Sequence, residues 1–260
     1  MFGGKLNYES RVFVSGQELS GINTIDLSYS HNSNIAKPLG YSKGVTMSSA
    51  DSQKTMSITR DYIFGSDPLL KYTGNLALSG SIHYENSSYG FNTGYMTEYM
   101  INFAVGSPPK VNTNFIIFGE MKSGISASGS VSHPAIFLPR QGEISITSDN
   151  SSSNRVVGFD YSVKMNRKPI YTIGSQIPSV VELIPPLEYS AAVQIEVDDA
   201  FMANSQSFIT QKQNKTISFS TGKNGSLISY TIPNASLVSE QLSASADGVL
   251  KLTLNYIGHS

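Results

Sequence analysis

The sequence contains no cysteine and no tryptophan, and charged residues make up only 14% of its 260 positions. Without cysteine the chain cannot form a disulfide framework, a thiol active site or a zinc site with cysteine ligands. The formal net charge of −1 argues against a protein that binds nucleic acid by neutralising its phosphates. The low charge also needs an explanation, because soluble domains carry about 25% charged residues.

Motifs for catalysis and metal binding are also missing. None of the four histidines belongs to an HExxH or HxH arrangement, and the chain has no GxSxG and no Walker loop. The Gly-rich stretch 124–129 is typical of a linker rather than of a phosphate-binding loop. The adjacent acidic pair Asp198 and Asp199 points to opposite faces of a strand, which excludes a catalytic dyad. We therefore predict that the protein is not an enzyme and uses no cofactor or metal.

The sequence is rich in alternating polar and apolar residues, and about one residue in six is serine. Apolar residues two positions apart, or short apolar runs, occur in segments 22–29, 56–60, 76–84, 99–103, 115–118, 144–146, 159–163, 193–197, 217–219, 228–232 and 249–256. Helical spacing is scarce, and short helices are predicted only near residues 67–72 and 238–242. Because Gly, Pro, Asn and Ser separate the alternating segments, the sequence predicts an all-β fold of many short strands.

An internal repeat is visible when the two halves are compared. Four segments of the first half match four of the second in the same order: 25–29 with 159–163, 56–61 with 193–198, 99–101 with 230–232, and 115–119 with 254–258. The repeat predicts two similar β domains, residues 1–130 and residues 131–260. We place the boundary in the Ser/Gly-rich stretch 123–132 or just after it.

The segment 64–74 is a candidate for a contact between subunits. It contains an Asp-Pro turn signal at residues 67–68, followed by apolar residues, and has no clear counterpart in the second half. We predict that it docks on a neighbouring subunit; the alternative is a loop folded over its own core. The residues expected to make this contact are Asp67, Pro68, Leu69, Leu70 and Tyr72.

Several stretches resemble structural proteins of tailed-bacteriophage tails. The opening segment 11–22, followed by a strand, a turn and Pro38-Leu39-Gly40, is similar to that family. Segments 65–70 and 105–109, the second of which precedes residues 115–119, resemble the same kind of protein. The resemblance covers most of the first half and, through the repeat, the second half. Tail-tube and tail-hub proteins share a fold in which β-sheets roll into a barrel, and six such domains form a ring.

The resemblance implies two tandem tail-tube-like β-barrel or sandwich domains, so that three chains form a pseudo-hexameric ring. Stacked rings would build a tail tube in the virion, through which DNA passes without specific binding. The implied partners are further copies of the chain and other tail proteins, with no membrane, and the chain would be made in the host cytoplasm. Two alternatives stay open: a single-ring baseplate hub or distal tail protein, and, in a different class, a carbohydrate-binding β-sandwich module.

The resemblance also bears on the low charge. A subunit that buries much of its surface against neighbours needs less charge, because obligate interfaces are depleted of charged residues. The long segments 39–54 and 65–72 would carry subunit contacts. Asp26 and Asp160, which the repeat matches, are either charges at a subunit contact or channel wall, or simply exposed strand residues.

Overall fold

The protein is all-β, as the alternation predicts. The computed structural model describes residues 10–36, 45–62, 67–84, 87–124, 138–148, 151–175, 177–197, 215–223, 226–244 and 249–260. In these ranges one antiparallel sheet contains 15 strands, and the helical element is a single 3-10 turn, Leu70–Thr73. The strands are β1 (Ser10–Val14), β2 (Gln17–Leu19), β3 (Ile22–Ala36), β4 (Val45–Asp61), β5 (Leu78–Tyr84), β6 (Ser87–Ala104), β7 (Lys110–Ile117), β8 (Met121–Ser123), β9 (Ile144–Ser148), β10 (Ser151–Ser153), β11 (Val156–Ile170), β12 (Val180–Val197), β13 (Lys215–Lys223), β14 (Ser226–Ala244) and β15 (Leu250–His259).

Alternation explains why these segments form half-buried strands. In β7 every second side chain is buried, namely Val111, Thr113, Phe115 and Ile117, whereas those that alternate with them are less buried. The β1–β2 hairpin closes with two residues, Ser15 at φ 49° and Gly16 at φ 77°. Positive φ at both turn positions is the geometry that matches the twist of a tight hairpin.

The two halves of the chain pair their strands in the same order. The first half has the order β2-β1-β5-β6-β7-β4-β3, and the second has β10-β9-β13-β14-β15-β12-β11. Strands β1 to β3 therefore correspond to β9 to β11, and β4 to β7 correspond to β12 to β15. In each half the first part of one long strand, β6 or β14, pairs with β5 or β13, and its later part pairs with β7 or β15.

Irregularities in the ladders fix how the two halves align. The register of β3 against β4 shifts between Ile22 and Thr24, and the register of β11 against β12 shifts between Val156 and Gly158. Likewise β6 shifts against β7 between Met96 and Glu98, opposite Phe115 and Asn114. Its counterpart β14 shifts between Leu237 and Ser239, opposite Tyr256 and Asn255. These β-bulges give a residue-by-residue correspondence between β3 and β11 and between β6 and β14.

This correspondence corrects three of the sequence matches. Residues 25–29 do correspond to 159–163, but Arg60 corresponds to Ile195, and Phe115 corresponds to Tyr256. The sequence matches there were wrong by two residues, a slip that keeps the same face of the strand. The match of Tyr99 with Tyr230 was wrong by ten residues along the strand.

The two predicted helices and the predicted domain boundary have different outcomes. The helix predicted near residues 238–242 is wrong, because these residues belong to β14 and pair with β15. Val238 is the extra residue of a bulge in β14. Its spacing of four residues from Leu242 matches the period of a helix, which explains the wrong prediction. The helix predicted near 67–72 is the single 3-10 turn. The predicted domain boundary at 130/131 lies within 125–137, outside the described residues, so the two-domain division stays a prediction.

Candidate assembly interface

The two halves of the chain are joined by direct strand pairing. Residues 98–104 of β6 pair antiparallel with residues 158–164 of β11, on the side of β6 that β5 occupies earlier in the strand. We call these seven residue pairs the seam. Through the seam, eight strands form one continuous stretch in the order β3-β4-β7-β6-β11-β12-β15-β14.

The core side of the seam is closed by aromatic rings. Phe103 of β6 stacks on Phe159 of β11 with ring centroids 4.9 Å apart, and Phe159 stacks on Phe219 of β13 at the same distance. Tyr161 lies 5.1 Å from Tyr230 of β14. Such pairs contribute roughly 0.5–1.5 kcal/mol each beyond the burial of their surface. The halves therefore share one hydrophobic core.

The outward side of the seam is polar. The Asn102 amide donates a hydrogen bond to the Asp160 carboxylate, and Lys164 Nζ lies 3.9 Å from Glu98 Oε1. The backbones also approach closely, because a Cβ added to Gly158 would lie 2.7 Å from the Phe103 carbonyl oxygen. Asp160, one of the two aspartates matched by the repeat, thus accepts a hydrogen bond across the junction of the halves.

A buried polar group lies behind the seam. Arg60 and Asp67 form an ion pair in which the side chains are 4% and 0% exposed. The Tyr99 hydroxyl donates to Asp67 Oδ2 at 2.9 Å and lies 3.4 Å from the Tyr230 hydroxyl. We call Arg60, Asp67, Tyr99 and Tyr230 the junction cluster. It connects β4, the turn region, β6 and β14, so it ties together elements of both halves.

The junction cluster holds its tyrosines in the neutral form. Burial is the main cause that raises the pKa of Tyr99 and of Tyr230 well above the ordinary value of 10.0, and the charge of Asp67 raises both further. An ionised tyrosine beside a buried carboxylate would lose solvation and add like-charge repulsion. The cluster is therefore arranged to hold one positive and one negative charge together with two neutral hydroxyl groups.

The structure buries most of the predicted contact residues within their own chain. Asp67, Leu69 and Tyr72 are 5%, 0% and 5% exposed, and Pro68 and Leu70 are partly buried. Asp67 also accepts a hydrogen bond from the Leu69 amide at 2.8 Å, which shapes the turn. Asp67 contacts Tyr99 of β6, and Leu69 and Tyr72 belong to the hydrophobic core, as expected of a loop folded over its own core. A subunit contact through this segment stays a prediction.

Sequence reasoning missed the junction cluster and the seam. One signal was available, because Arg60 follows Met56 and Ile58 in the apolar phase of β4. A cation in a core phase requires a buried partner, and Asp67 lies seven residues away. No local pattern marks the seam, since it joins residues far apart in the chain.

A hairpin arm of the second half also contacts the first half. Beyond the seam, β11 and β12 continue as a paired arm, and Arg167 of this arm donates hydrogen bonds to the carbonyl oxygens of Met96 at 3.0 Å and Gly74 at 2.6 Å. Its guanidinium also donates to Asn75 Oδ1 at 3.2 Å and lies 5.5 Å from the centre of the Tyr95 ring. Partial burial lowers the pKa of Arg167. The arm thus adds a polar anchor to the seam.

The continuous eight-strand stretch has two open ends among the described strands. At one end β3 pairs with β4 alone, and at the other the later part of β14 pairs with β15 alone. Apolar side chains are exposed at both ends, with Tyr29 57% and Leu242 57% exposed. Long unpaired edges with exposed apolar residues favour pairing with another strand. By the correspondence of the halves, these open strands are the counterparts of β11 and β6, the two strands that form the seam.

The outward face of the eight strands contains an open concavity of about 430 Å³. Its lining is mixed, and most of the exposed surface is apolar. The polar lining residues are Asn102, Asn112, Asp160, Ser162, Ser190 and Asn255, and the apolar ones include Met100, Val238 and Ile257. The aromatic residues that line it, Tyr161 and Tyr256, are 5% and 3% exposed. This concavity therefore offers no open ring on which a sugar could stack.

Charge on this outward face is sparse and slightly acidic. Its acidic residues are Asp26, Asp61, Glu98, Asp160, Glu188 and Glu196, and its basic residues are Lys110, Lys164 and Lys251. Most of the basic side chains lie opposite an acidic residue on the next strand, as Lys110 does opposite Asp61. Such a surface has little attraction for a polyanion.

Other kinds of site are not seen in the ranges that the structure covers. No three His, Asp or Glu side chains of the described residues are grouped so that they could hold a metal ion. Within the same ranges there is no helix long and apolar enough to cross a membrane. Asp198, Asp199 and the segment 39–44 lie outside the described residues. A scan against models of known protein families finds no match, and no curated protein matches the sequence either.

Proposed function

We propose that the protein is a structural virion protein that assembles with copies of itself into closed rings, as the resemblance to phage tail proteins implies. The observation that carries the proposal is that each open edge of the eight-strand stretch corresponds to a strand already paired at the seam. The edge of β14 in one copy can therefore receive β3 of the next as β6 receives β11. Its mechanism is assembly, without a chemical step.

One chain would supply two of the six similar domains of such a ring. A contact between two different surfaces of the chain gives a closed ring when the rotation between neighbouring copies divides a full turn. Three copies of a chain with two similar halves then give pseudo-hexameric symmetry. Closure would also pair both open ends of the eight-strand stretch, which removes the hazard of uncontrolled pairing at these two edges. The shared strand order and the bulges at corresponding positions support a duplicated domain.

The outward face supports a channel through which DNA passes. In a closed ring the outward face of the eight strands would line the lumen. Its few charges are slightly acidic in sum and its basic side chains lie opposite acidic ones, so it would not hold phosphates. Stacked rings would form a tail tube together with other tail proteins. A single-ring hub or distal tail protein uses the same ring, and the two differ in whether rings stack.

The proposal is tested by sedimentation of the purified chain over a range of concentrations. We expect assembly to a multiple of three copies, and we expect Leu242→Lys to raise the concentration for half-assembly by about tenfold or more, because a lysine on an open edge opposes pairing. Leu76→Lys is the matched control, since Leu76 is 54% exposed and precedes β5, so it belongs to neither β3 nor β14. A monomer at every concentration would contradict the proposal. Equal effects of the two substitutions would contradict the role of the β14 edge.

A further inference from the structure

The seam inside the chain also specifies the register of the contact between copies. We infer that β14 of one copy pairs antiparallel with β3 of the next so that Asp26 lies opposite Ser243 and Leu27 lies opposite Leu242. The partner is a second copy of this chain. The inference rests on the proposed function, because it describes the contact that closes the ring, and it adds the residues that meet there.

The register follows from the bulges rather than from sequence similarity. Ile22 corresponds to Val156 by the bulge of β3 and β11, so Asp26 takes the position of Asp160. Met96 corresponds to Leu237 by the bulge of β6 and β14, so Ser243 takes the position of Asn102. Since Asp160 pairs with Asn102 at the seam, Asp26 is expected to pair with Ser243.

The residues that this register brings together are chemically compatible. On the outward side the Ser243 hydroxyl can donate to the Asp26 carboxylate, as the Asn102 amide donates to Asp160. On the core side Leu242, which is 57% exposed in one chain, would be covered by Leu27. A slip of one residue would place Leu242 against a residue of the opposite face, so the apolar pairing selects this register.

The same comparison indicates that the contact between copies is weaker than the seam. The seam carries the Phe103–Phe159 stack and the Glu98–Lys164 ion pair. At the corresponding positions between copies the register places Ala244 opposite Ile25 and Ser239 opposite Ser30. We therefore expect each chain to fold first, through its own seam, and rings to form and dissociate reversibly at the β3–β14 contact.

The absence of cysteine allows a direct test by disulfide cross-linking. Directly opposed residues of antiparallel strands have Cα atoms about 4.5–5.5 Å apart, within the range that a disulfide spans. The variant Asp26→Cys/Ser243→Cys is assembled under reducing conditions and then oxidised. We expect covalent dimers and trimers on a non-reducing gel. The control Ser28→Cys/Ser243→Cys, displaced by two residues on the same face, is expected to stay largely uncross-linked, because diagonal neighbours lie about 7–8 Å apart.

Hydrogen exchange on the unmodified chain provides a second measurement. Backbone amides of residues 25–29 and 240–244 are expected to exchange at least tenfold more slowly in the assembled state than in the dissociated chain. If the unmodified chain forms rings but the displaced pair cross-links better, or these amides gain no protection, the register is wrong and the proposed function stands. If the unmodified chain does not self-associate at all, both are wrong.

Discussion

The substitution Asp67→Asn tests the junction cluster, because it keeps the shape of the side chain and removes its charge. Asp67 is the ion-pair partner of Arg60, and the Arg60 Nε atom has no hydrogen-bond partner among the described residues. With asparagine at this position the guanidinium would stay buried without a counter-charge. Breaking a buried pair by removing one partner costs about 3–5 kcal/mol.

A loss of this size is a large fraction of the total stability of a domain, which is roughly 5–15 kcal/mol. The side-chain oxygen of asparagine can still accept a hydrogen bond. The hydrogen bonds that the Leu69 amide and the Tyr99 hydroxyl donate to position 67 are therefore weakened but not all lost. For a chain of this length, 3–5 kcal/mol corresponds to a fall in Tm of roughly 6–20 °C.

The assay is urea denaturation followed by fluorescence and circular dichroism, with the change taken from the midpoint at constant slope. Asp61→Asn is the matched control, since its carboxylate accepts an exposed hydrogen bond from Asn23 at 2.9 Å, and we expect a change within about 1 kcal/mol. The double substitution Arg60→Met/Asp67→Asn is expected to recover most of the loss, because it removes the buried guanidinium that has no counter-charge and keeps an acceptor at position 67. A cost below about 1 kcal/mol for Asp67→Asn would refute the reasoning.

Three further outcomes are expected. Gly158→Ala places a Cβ 2.7 Å from the Phe103 carbonyl oxygen, so thermal unfolding should show a loss of about 1–3 kcal/mol; an unchanged Tm would show that the backbones at the seam can separate. Ile25→Phe/Ala244→Phe rebuilds the aromatic stack of the seam between copies, and sedimentation should give a half-assembly concentration about 2–10-fold lower; no change would argue against this pairing. The raised pKa values of the cluster tyrosines give stability that is complete below pH 10.0 and is lost above it, by about 1.4 kcal/mol per pH unit for each tyrosine. Urea denaturation between about pH 9 and pH 11 measures this slope, and Tyr99→Phe should make it shallower; equal slopes would contradict the cluster's role.

The sequence predicts strands well where one face is buried. Alternation over residues 159–163 and the apolar run 115–118 predict parts of β11 and β7 because each places a row of large side chains in the core. The short β1 and β2 were not predicted as strands, since three to five residues give little periodicity. Bulges mislead the same reasoning, because the extra residue at Val238 shifts the phase of the alternation.

More of the repeat than of the candidate site can be predicted from the sequence. The order of the matched segments predicts that the halves have similar strands, but the detailed alignment needs the bulges, because a two-residue slip leaves every side chain on the same face. Pairing of β6 with β11 is not encoded locally, since periodicity gives the face of a strand and not its neighbour. In the predicted contact segment 67–72, the aspartate completes a buried ion pair with Arg60, which no pattern within the segment predicts.

Negative-stain electron microscopy of the purified chain tests the assembly account most directly. The account predicts rings of three 28.1 kDa chains, with six similar lobes around a central hole, either single or stacked into tubes. Single chains or particles without a central hole, at all concentrations, would contradict it.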